Sequence, residues 1–106
     1  MATLFVYLTV IAVLVATGLY GLTRKRNVMR LFFSIEIIMN AANLSFIVFA
    51  RYVLWGITAF AVYGQVIVLF AIALEAAEAA IALAIVLLVS RVHQTVDIRK
   101  LRELEG

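Results

Sequence analysis

Residues 28–50 read VMRLFFSIEIIMNAANLSFIVFA, and their length and composition indicate the fold class. A helix needs about 20 mostly apolar residues, each rising about 1.5 Å, to cross a hydrocarbon core of roughly 30 Å. The stretch has that length, and Arg30 and Glu36 are its only charged residues. It therefore predicts a membrane-spanning helix with one carboxyl group well inside the bilayer.

Two further apolar stretches flank this one. Residues 3–23 carry no charge, and residues 65–90 contain only Glu75 and Glu78 as charged residues. Both stretches are long enough to cross a bilayer as helices. The fold class that follows is all-α: an integral membrane protein of three transmembrane helices.

The remaining segments are too short or too polar to add a span. The connection 52–64 is apolar, but about 12 residues cannot cross alone. We expect it to form a loop or an extension of the third helix, with Trp55 at the membrane interface. The tail 91–106 is expected to be a short surface segment without a fold of its own. Residues 1–106 are assigned to a single membrane domain.

The composition of the whole chain agrees with a membrane protein and excludes several functions. Of its 106 residues, 67% are hydrophobic and 14% are charged, and the mean hydropathy is +1.17. Three spans leave no room for a soluble catalytic domain. The chain contains no cysteine and a single histidine, His93. Thiolate metal sites, iron–sulfur ligation and disulfides are therefore excluded, and no cofactor is expected on this chain.

Basic residues predict the orientation of the spans. Arg51 alone follows the second span, whereas the other eight basic residues lie near the first connection or after the third span, at positions 24, 25, 26, 30, 91, 99, 100 and 102. These two regions share a side in a three-span protein, so the positive-inside rule places the C-terminus in the cytoplasm and the N-terminus outside. Lys25 and Arg26 are either topology anchors or part of a proton entrance.

Glu36 is the foremost candidate for chemistry. It lies about ten residues past Arg26, or roughly 15 Å of helix, and therefore close to the bilayer centre. A charged acid at that depth costs on the order of 2.5 to 3.5 kcal/mol on insertion scales, so it is expected to face protein or water and to have a function. Such a carboxyl group can take up and return a proton. The alternative is a neutral acid that only hydrogen-bonds between helices.

Four other polar residues lie near Glu36 in membrane depth. Asn40 and Asn43 continue one helical stripe from Glu36, where their amides either orient the acid or bond a neighbouring helix. Glu78 lies at nearly the depth of Glu36 if the second and third spans are antiparallel, which suggests a lateral proton relay. Glu75 is one turn from Glu78, and two carboxylates so placed do not both ionise readily in a low dielectric. Glu75 either shares a proton in this relay or bonds a neighbour.

Five segments carry a family resemblance. They are GLYGL at 18–22, RKRN at 24–27, SIEIIMNAANL at 34–44, GQV at 64–66 and AAEAAI at 76–81. Together they resemble subunit K of the respiratory complex I family, the 4L-type subunit of mitochondria, which has plastid and archaeal relatives. The resemblance covers nearly the whole chain.

This resemblance implies a small core subunit in the proton-pumping membrane arm of an NADH-quinone oxidoreductase-type complex. The family pattern places its principal membrane acid on Glu36 and its second on Glu78. It places the basic pair of the loop on Lys25 and Arg26. The sequence departs from the pattern at Glu75, where the family usually has a small residue.

The resemblance also implies partners and a location. An antiporter-like subunit and the subunits of the quinone-reaction region are expected beside the chain, with quinone, flavin and iron–sulfur clusters bound by partner subunits. The location implied is an energy-transducing membrane, either the cell membrane of a bacterium or archaeon or the inner membrane of an organelle. NADH, a reduced deazaflavin and ferredoxin all remain open as electron donors. No nucleic-acid partner is expected.

Two other functions fit a small membrane protein with acids in its spans. A self-sufficient proton-coupled transporter would resemble the small multidrug exporters, which have four spans and an acid in the first. Here the first span has no acidic or basic residue. The other alternative is a structural packing subunit whose glutamates never titrate.

Overall fold

The computed structural model describes residues 2–24, 27–53 and 58–93, and each of these segments holds one helix. The helices are α1 at Ala2–Thr23, α2 at Val28–Tyr52 and α3 at Thr58–His93. All three are long and apolar enough to cross a membrane. The predicted all-α fold with three spans is confirmed, and the side of the membrane on which each end lies remains a prediction.

The third helix is longer than the apolar run that predicts it. α3 begins at Thr58 rather than at residue 65, so most of the connection takes the second form expected for it, an extension of the third helix. The physical reason is that an α-helix satisfies the backbone polar groups of an apolar segment internally, as a hydrocarbon environment requires. The ends of α1 and α2 lie within two residues of the predicted ones.

Some sequence predictions concern residues outside the described ranges. They include the interfacial position of Trp55, the roles of Lys25 and Arg26, and the surface tail from residue 94 onward. These remain predictions. The start of the predicted tail, Arg91 to His93, belongs to the last turn of α3.

Asn27 determines where α2 begins. Its backbone is extended, with φ −114° and ψ 129°, and its side-chain oxygen accepts a hydrogen bond from the backbone N–H of Met29 at 2.8 Å. Its carbonyl accepts the first helical bond, from the N–H of Leu31 at 3.0 Å. An asparagine in this position satisfies an N–H group that the first turn of a helix otherwise leaves free. The cap therefore fixes the start of α2, and with it the depth of the polar residues further along.

Two glycines bring α1 close to α2. A Cβ atom added at Gly18 would overlap the side chain of Ile38, and one added at Gly21 would overlap the hydroxyl group of Ser34. The partner's number falls as the glycine's number rises, so the two helices are antiparallel. Small residues at such crossings let two backbones approach closely inside a membrane, where dispersion contacts drive helix association.

A different face of α2 packs against α3. A Cβ atom added at Gly64 would lie 2.6 Å from the Cβ of Ala50, and further along Asn43 bonds Glu75. These pairs also run in opposite directions, so α3 is antiparallel to α2. At about 100° per residue, Asn43 and Ala50 lie roughly 150° around α2 from the α1-facing residues. α2 is therefore the central helix, with its two partners on nearly opposite faces.

Most large apolar side chains of the three helices point outward. The residues buried inside the chain are mainly small or β-branched, namely Ala41, Val48, Ala50, Val68 and Val86. Phe70 and Leu69 are each 68% exposed. An apolar outer surface is expected of helices that meet lipid or other membrane helices rather than water.

Candidate functional site

Glu36 lies on the side of α2 that faces α3. It is half-buried, and it precedes Asn43 by seven residues, which is only about 20° around the helix. The cap at Asn27 places it about 13 Å along α2. Its carboxyl group therefore lies deep within the membrane span and is partly exposed on the surface of the chain.

Asn40 does not hold the carboxyl group of Glu36. Its Nδ2 donates to the backbone carbonyl of Glu36 at 3.0 Å, and the side chain is exposed. The predicted polar stripe therefore divides, because Asn43 is buried and Asn40 is not. Residues three apart on a helix point about 60° apart. That angle is enough to place the amide of Asn43 in the interface with α3 and the amide of Asn40 outside it.

Glu75 is the most buried acid among the described residues. It is 9% exposed, and Asn43 is 8% exposed. The Nδ2 of Asn43 donates to Oε1 of Glu75 at 2.7 Å. Of the two roles that the sequence leaves open for Glu75, hydrogen bonding to a neighbour is the one that the fold displays directly.

The hydroxyl groups of α1 and α2 behave differently from this pair. Thr9, Thr17, Ser34 and Ser45 each donate to the backbone carbonyl four residues earlier in their own helix, at 2.7 to 2.9 Å. Such bonds satisfy a hydroxyl group without linking one helix to another. The bond between Asn43 and Glu75 joins two helices, and one of its members is titratable.

Glu78 points away from the interface between α2 and α3. It is one turn beyond Glu75 and about 60° around the helix from it, and its side chain is exposed. A carboxyl group on the outer surface at this depth is costly against hydrocarbon. It therefore requires protein or water beside it when the chain is in a membrane.

The three carboxyl groups lie near one level of the helices. Glu75 is beside Asn43, Glu78 is one turn nearer the start of α2, and Glu36 is about 10 Å of helix from Asn43. All three acids therefore fall within about 10 Å of membrane depth. Among the described residues, no group of three His, Cys, Asp or Glu side chains is placed to hold a metal ion.

A groove of about 600 Å³ lies between α1 and α2, near the connection that joins them. Arg24 and Arg30 line it together with Tyr20 and Phe33, and none of its described lining residues is a carboxylate. The guanidinium group of Arg24 lies over the ring of Tyr20, 5.6 Å from the ring centroid. The groove extends along α2 as far as Ile37, the residue after Glu36, but Glu36 is not among its described lining residues.

The fold and the carboxyl groups define a class, that of small polytopic membrane proteins that carry acids inside their spans. Within this class the chain matches the family model described as NADH-ubiquinone/plastoquinone oxidoreductase chain 4L, over residues 6–106. The chain belongs to this family. It is the K or 4L subunit in the membrane arm of a complex I-type NADH-quinone oxidoreductase.

Individual relatives agree over nearly the full length. The chain is 46% identical over 91 residues to the chloroplastic NAD(P)H-quinone oxidoreductase subunit 4L of Nephroselmis olivacea, covering 86% of each chain. It is 36% identical over 100 residues to NADH-quinone oxidoreductase subunit K of Helicobacter hepaticus, covering 94% of each. It is 37% identical over 106 residues to subunit K 1 of Syntrophobacter fumaroxidans, covering all of both chains. The family resemblance seen in the sequence is confirmed.

Proposed function

We propose that this subunit contributes Glu36, Glu78 and Glu75 to a proton relay that couples quinone reduction to proton translocation. Electron transfer takes place in other subunits, which bind the flavin, the iron–sulfur clusters and the quinone. Asn40 and Asn43 support the relay as amide neighbours. NADH is the electron donor that the names of the subunit K relatives favour.

The observation that carries this proposal is the placement of three carboxyl groups within about 10 Å of depth on two adjacent membrane helices. Insertion and packing need none of them, and intramembrane acids are costly unless they serve a function. Glu36 is half-buried, Glu75 buried and Glu78 exposed. The three acids thus lead from the interior of the chain to its outer surface.

The exposure of Glu78 supports a relay that continues into partner subunits. A carboxyl group on the outer face of α3 meets either lipid or a neighbouring subunit, and lipid is the costly choice. We place the quinone-site subunits and an antiporter-like subunit beside the chain, with one of them covering Glu78. A polar group or water supplied by that neighbour would then receive the proton.

The orientation follows from the basic residues of the sequence. The connection that holds Lys25 and Arg26 lies on the cytoplasmic side with the C-terminus, and the N-terminus lies outside. In this arrangement the basic pair stands at the side from which protons are taken up. The membrane is the energy-transducing membrane of the cell or organelle, and a bacterial or archaeal cell membrane fits the subunit K relatives best.

The test is Glu36→Gln in the intact complex. Glutamine keeps the size and hydrogen bonding of the side chain but cannot carry a proton. Inverted membrane vesicles are supplied with NADH, and both the quinone reduction rate and the acidification of the vesicle interior are followed. We expect the ratio of protons moved to electrons transferred to fall, with the subunit still present in the purified complex.

A matched control is Glu103→Gln, which removes an acid from the C-terminal tail and should leave the ratio unchanged. An unchanged ratio in the Glu36→Gln complex would favour the alternative of a purely structural packing subunit. Loss of the whole complex from the membrane would also count against a relay role, because the charge change would then act on assembly.

A further inference from the structure

Asn43 and Glu75 form a buried polar contact between α2 and α3. The amide and the carboxyl group are each more than nine-tenths buried, and they are joined at 2.7 Å across α2 and α3. Val68, one of the least exposed residues of the chain at 2%, lies two turns earlier on the same face of α3. A contact needed only for packing would be made as well by apolar side chains, because an interhelical hydrogen bond adds about 0.6 kcal/mol on average in a membrane.

The chemistry of the pair allows two protonation states in one geometry. The amide nitrogen of asparagine is a donor and does not titrate. A carboxyl group accepts that bond through Oε1 whether it is ionised or neutral. When Glu75 is neutral, its proton therefore sits on Oε2, the oxygen that Asn43 leaves free. The hydrogen bond holds the carboxyl group in place while the proton comes and goes.

Glu78 is the neighbour with which Glu75 can exchange a proton. Residues one turn apart on a helix have Cβ atoms about 5 to 6 Å apart, within reach of a direct contact or of one bridging water. Two carboxylates at that distance in a low dielectric repel each other. Passing one proton between them keeps the pair at a single negative charge, so the exchange creates no additional buried charge.

We infer that Glu75 is an inner proton site paired with the outward-facing Glu78, and that Asn43 is the positioning residue that holds it. In the step concerned, the neutral carboxyl group of Glu78 gives its proton to Oε2 of ionised Glu75, and Asn43 stays bonded to Oε1 throughout. Glu78 is left ionised, and when the proton returns from Oε2 of Glu75, Glu78 is neutral again and can give that proton to the partner subunit. This inference rests on the proposed function. It adds to the relay a side site, Glu75, that lies within this chain.

The first test is Glu75→Gln in the intact complex. A glutamine side chain presents a carbonyl oxygen to Asn43, so the link between α2 and α3 remains while the proton site is removed. We expect the subunit to assemble at its normal level and the ratio of protons to electrons to fall. Normal coupling in this variant would overturn the inference, because the pair would then serve packing alone.

The second test examines the positioning role by infrared difference spectroscopy of the complex during quinone reduction. A carboxyl band lost in Glu75→Gln identifies the neutral form of Glu75. Asn43→Leu removes the donor to Oε1, so we expect that band to move to higher frequency and coupling to fall. Asn43→Gln retains an amide donor and should restore both in part. Ser45→Ala is the matched control, since the Ser45 hydroxyl group bonds its own helix and has no part in the relay, and it should leave the band in place.

The outcomes separate this inference from the proposed function. If Glu36→Gln lowers the ratio of protons to electrons while Glu75→Gln leaves it unchanged, the result supports the proposed relay and contradicts the inner proton site at Glu75. Absence of any band that Glu75→Gln removes would likewise sink the inner site. If Asn43→Leu does not assemble, Asn43→Ala replaces it as a smaller change that also removes the donor.

Discussion

The two faces of α2 are packed by different means. Toward α1, Gly18 and Gly21 let the helices approach so closely that a single added carbon would collide with the opposite side chain. Toward α3, a buried hydrogen bond joins Asn43 to Glu75. The first interface is specified by shape and has no titratable member in these contacts. The second interface contains a buried polar pair with a titratable member. We therefore expect proton transfer between α2 and α3 and a rigid packing contact between α1 and α2.

The largest expected effect comes from filling the close crossing. Gly21→Leu places a branched side chain where the hydroxyl and Cβ of Ser34 already lie, and neither helix can move without losing its other contacts. We expect the subunit to be missing from the purified complex, as measured by mass spectrometry of its subunits. Ala16→Leu, on the exposed side of α1, is the control and should assemble. Normal recovery of Gly21→Leu would show that shape does not specify this interface.

A smaller substitution at Gly18 tests whether this glycine contacts Ile38 directly. The added methyl group of Gly18→Ala overlaps Cγ1 of Ile38 and lies 3.1 Å from the backbone carbonyl oxygen of Ser34, and overpacking of this kind costs about 1 to 3 kcal/mol. The double variant with Ile38→Ala removes the two Ile38 carbons but leaves the Ser34 carbonyl oxygen in place, so it should regain part of the loss. The measurement is the temperature at which the subunit dissociates from the purified complex. Two variants whose effects simply add would contradict a direct contact between these residues.

The smallest expected effect belongs to the polar interface. Asn43→Leu should lower the stability of the assembled subunit by about 0.6 kcal/mol and by no more than about 1.7, because interhelical hydrogen bonds contribute little in membranes. Asn40→Leu should change it by less than about 0.5 kcal/mol, since that side chain is exposed. The same dissociation temperature measures both. A loss from Asn43→Leu larger than that from Gly18→Ala would reverse the comparison between the two faces.

The sequence was sufficient to predict the number of helices, because length and hydropathy alone determine which segments can cross a bilayer. It was also sufficient for the family, through the segments around Glu36 and Glu78. It did not predict that α3 begins at Thr58, since the first seven residues of that helix have no periodicity that distinguishes a helix from an apolar loop.

The direction in which each acid points could not be derived from the sequence. Glu75 and Glu78 differ by about 60° around α3, and the packing of Gly64 against Ala50 and of Glu75 against Asn43 determines which of them meets α2. The same reason explains why Asn43 and Asn40 were not distinguished. The direction of a side chain relative to a neighbouring helix depends on how the two helices pack together. Hydropathy predicts only the length of each helix.

The outward position of Glu78 has a consequence for copies of the chain that have not yet found their partners. A solitary copy exposes a carboxyl group to hydrocarbon, together with most of its large apolar side chains. In the arrangement proposed above, a partner subunit covers that acid in an assembled copy. Glu78, which we propose transfers protons to a neighbouring subunit, therefore also distinguishes unassembled from assembled copies. Its exposure to hydrocarbon lowers the stability of the unassembled chain in the bilayer.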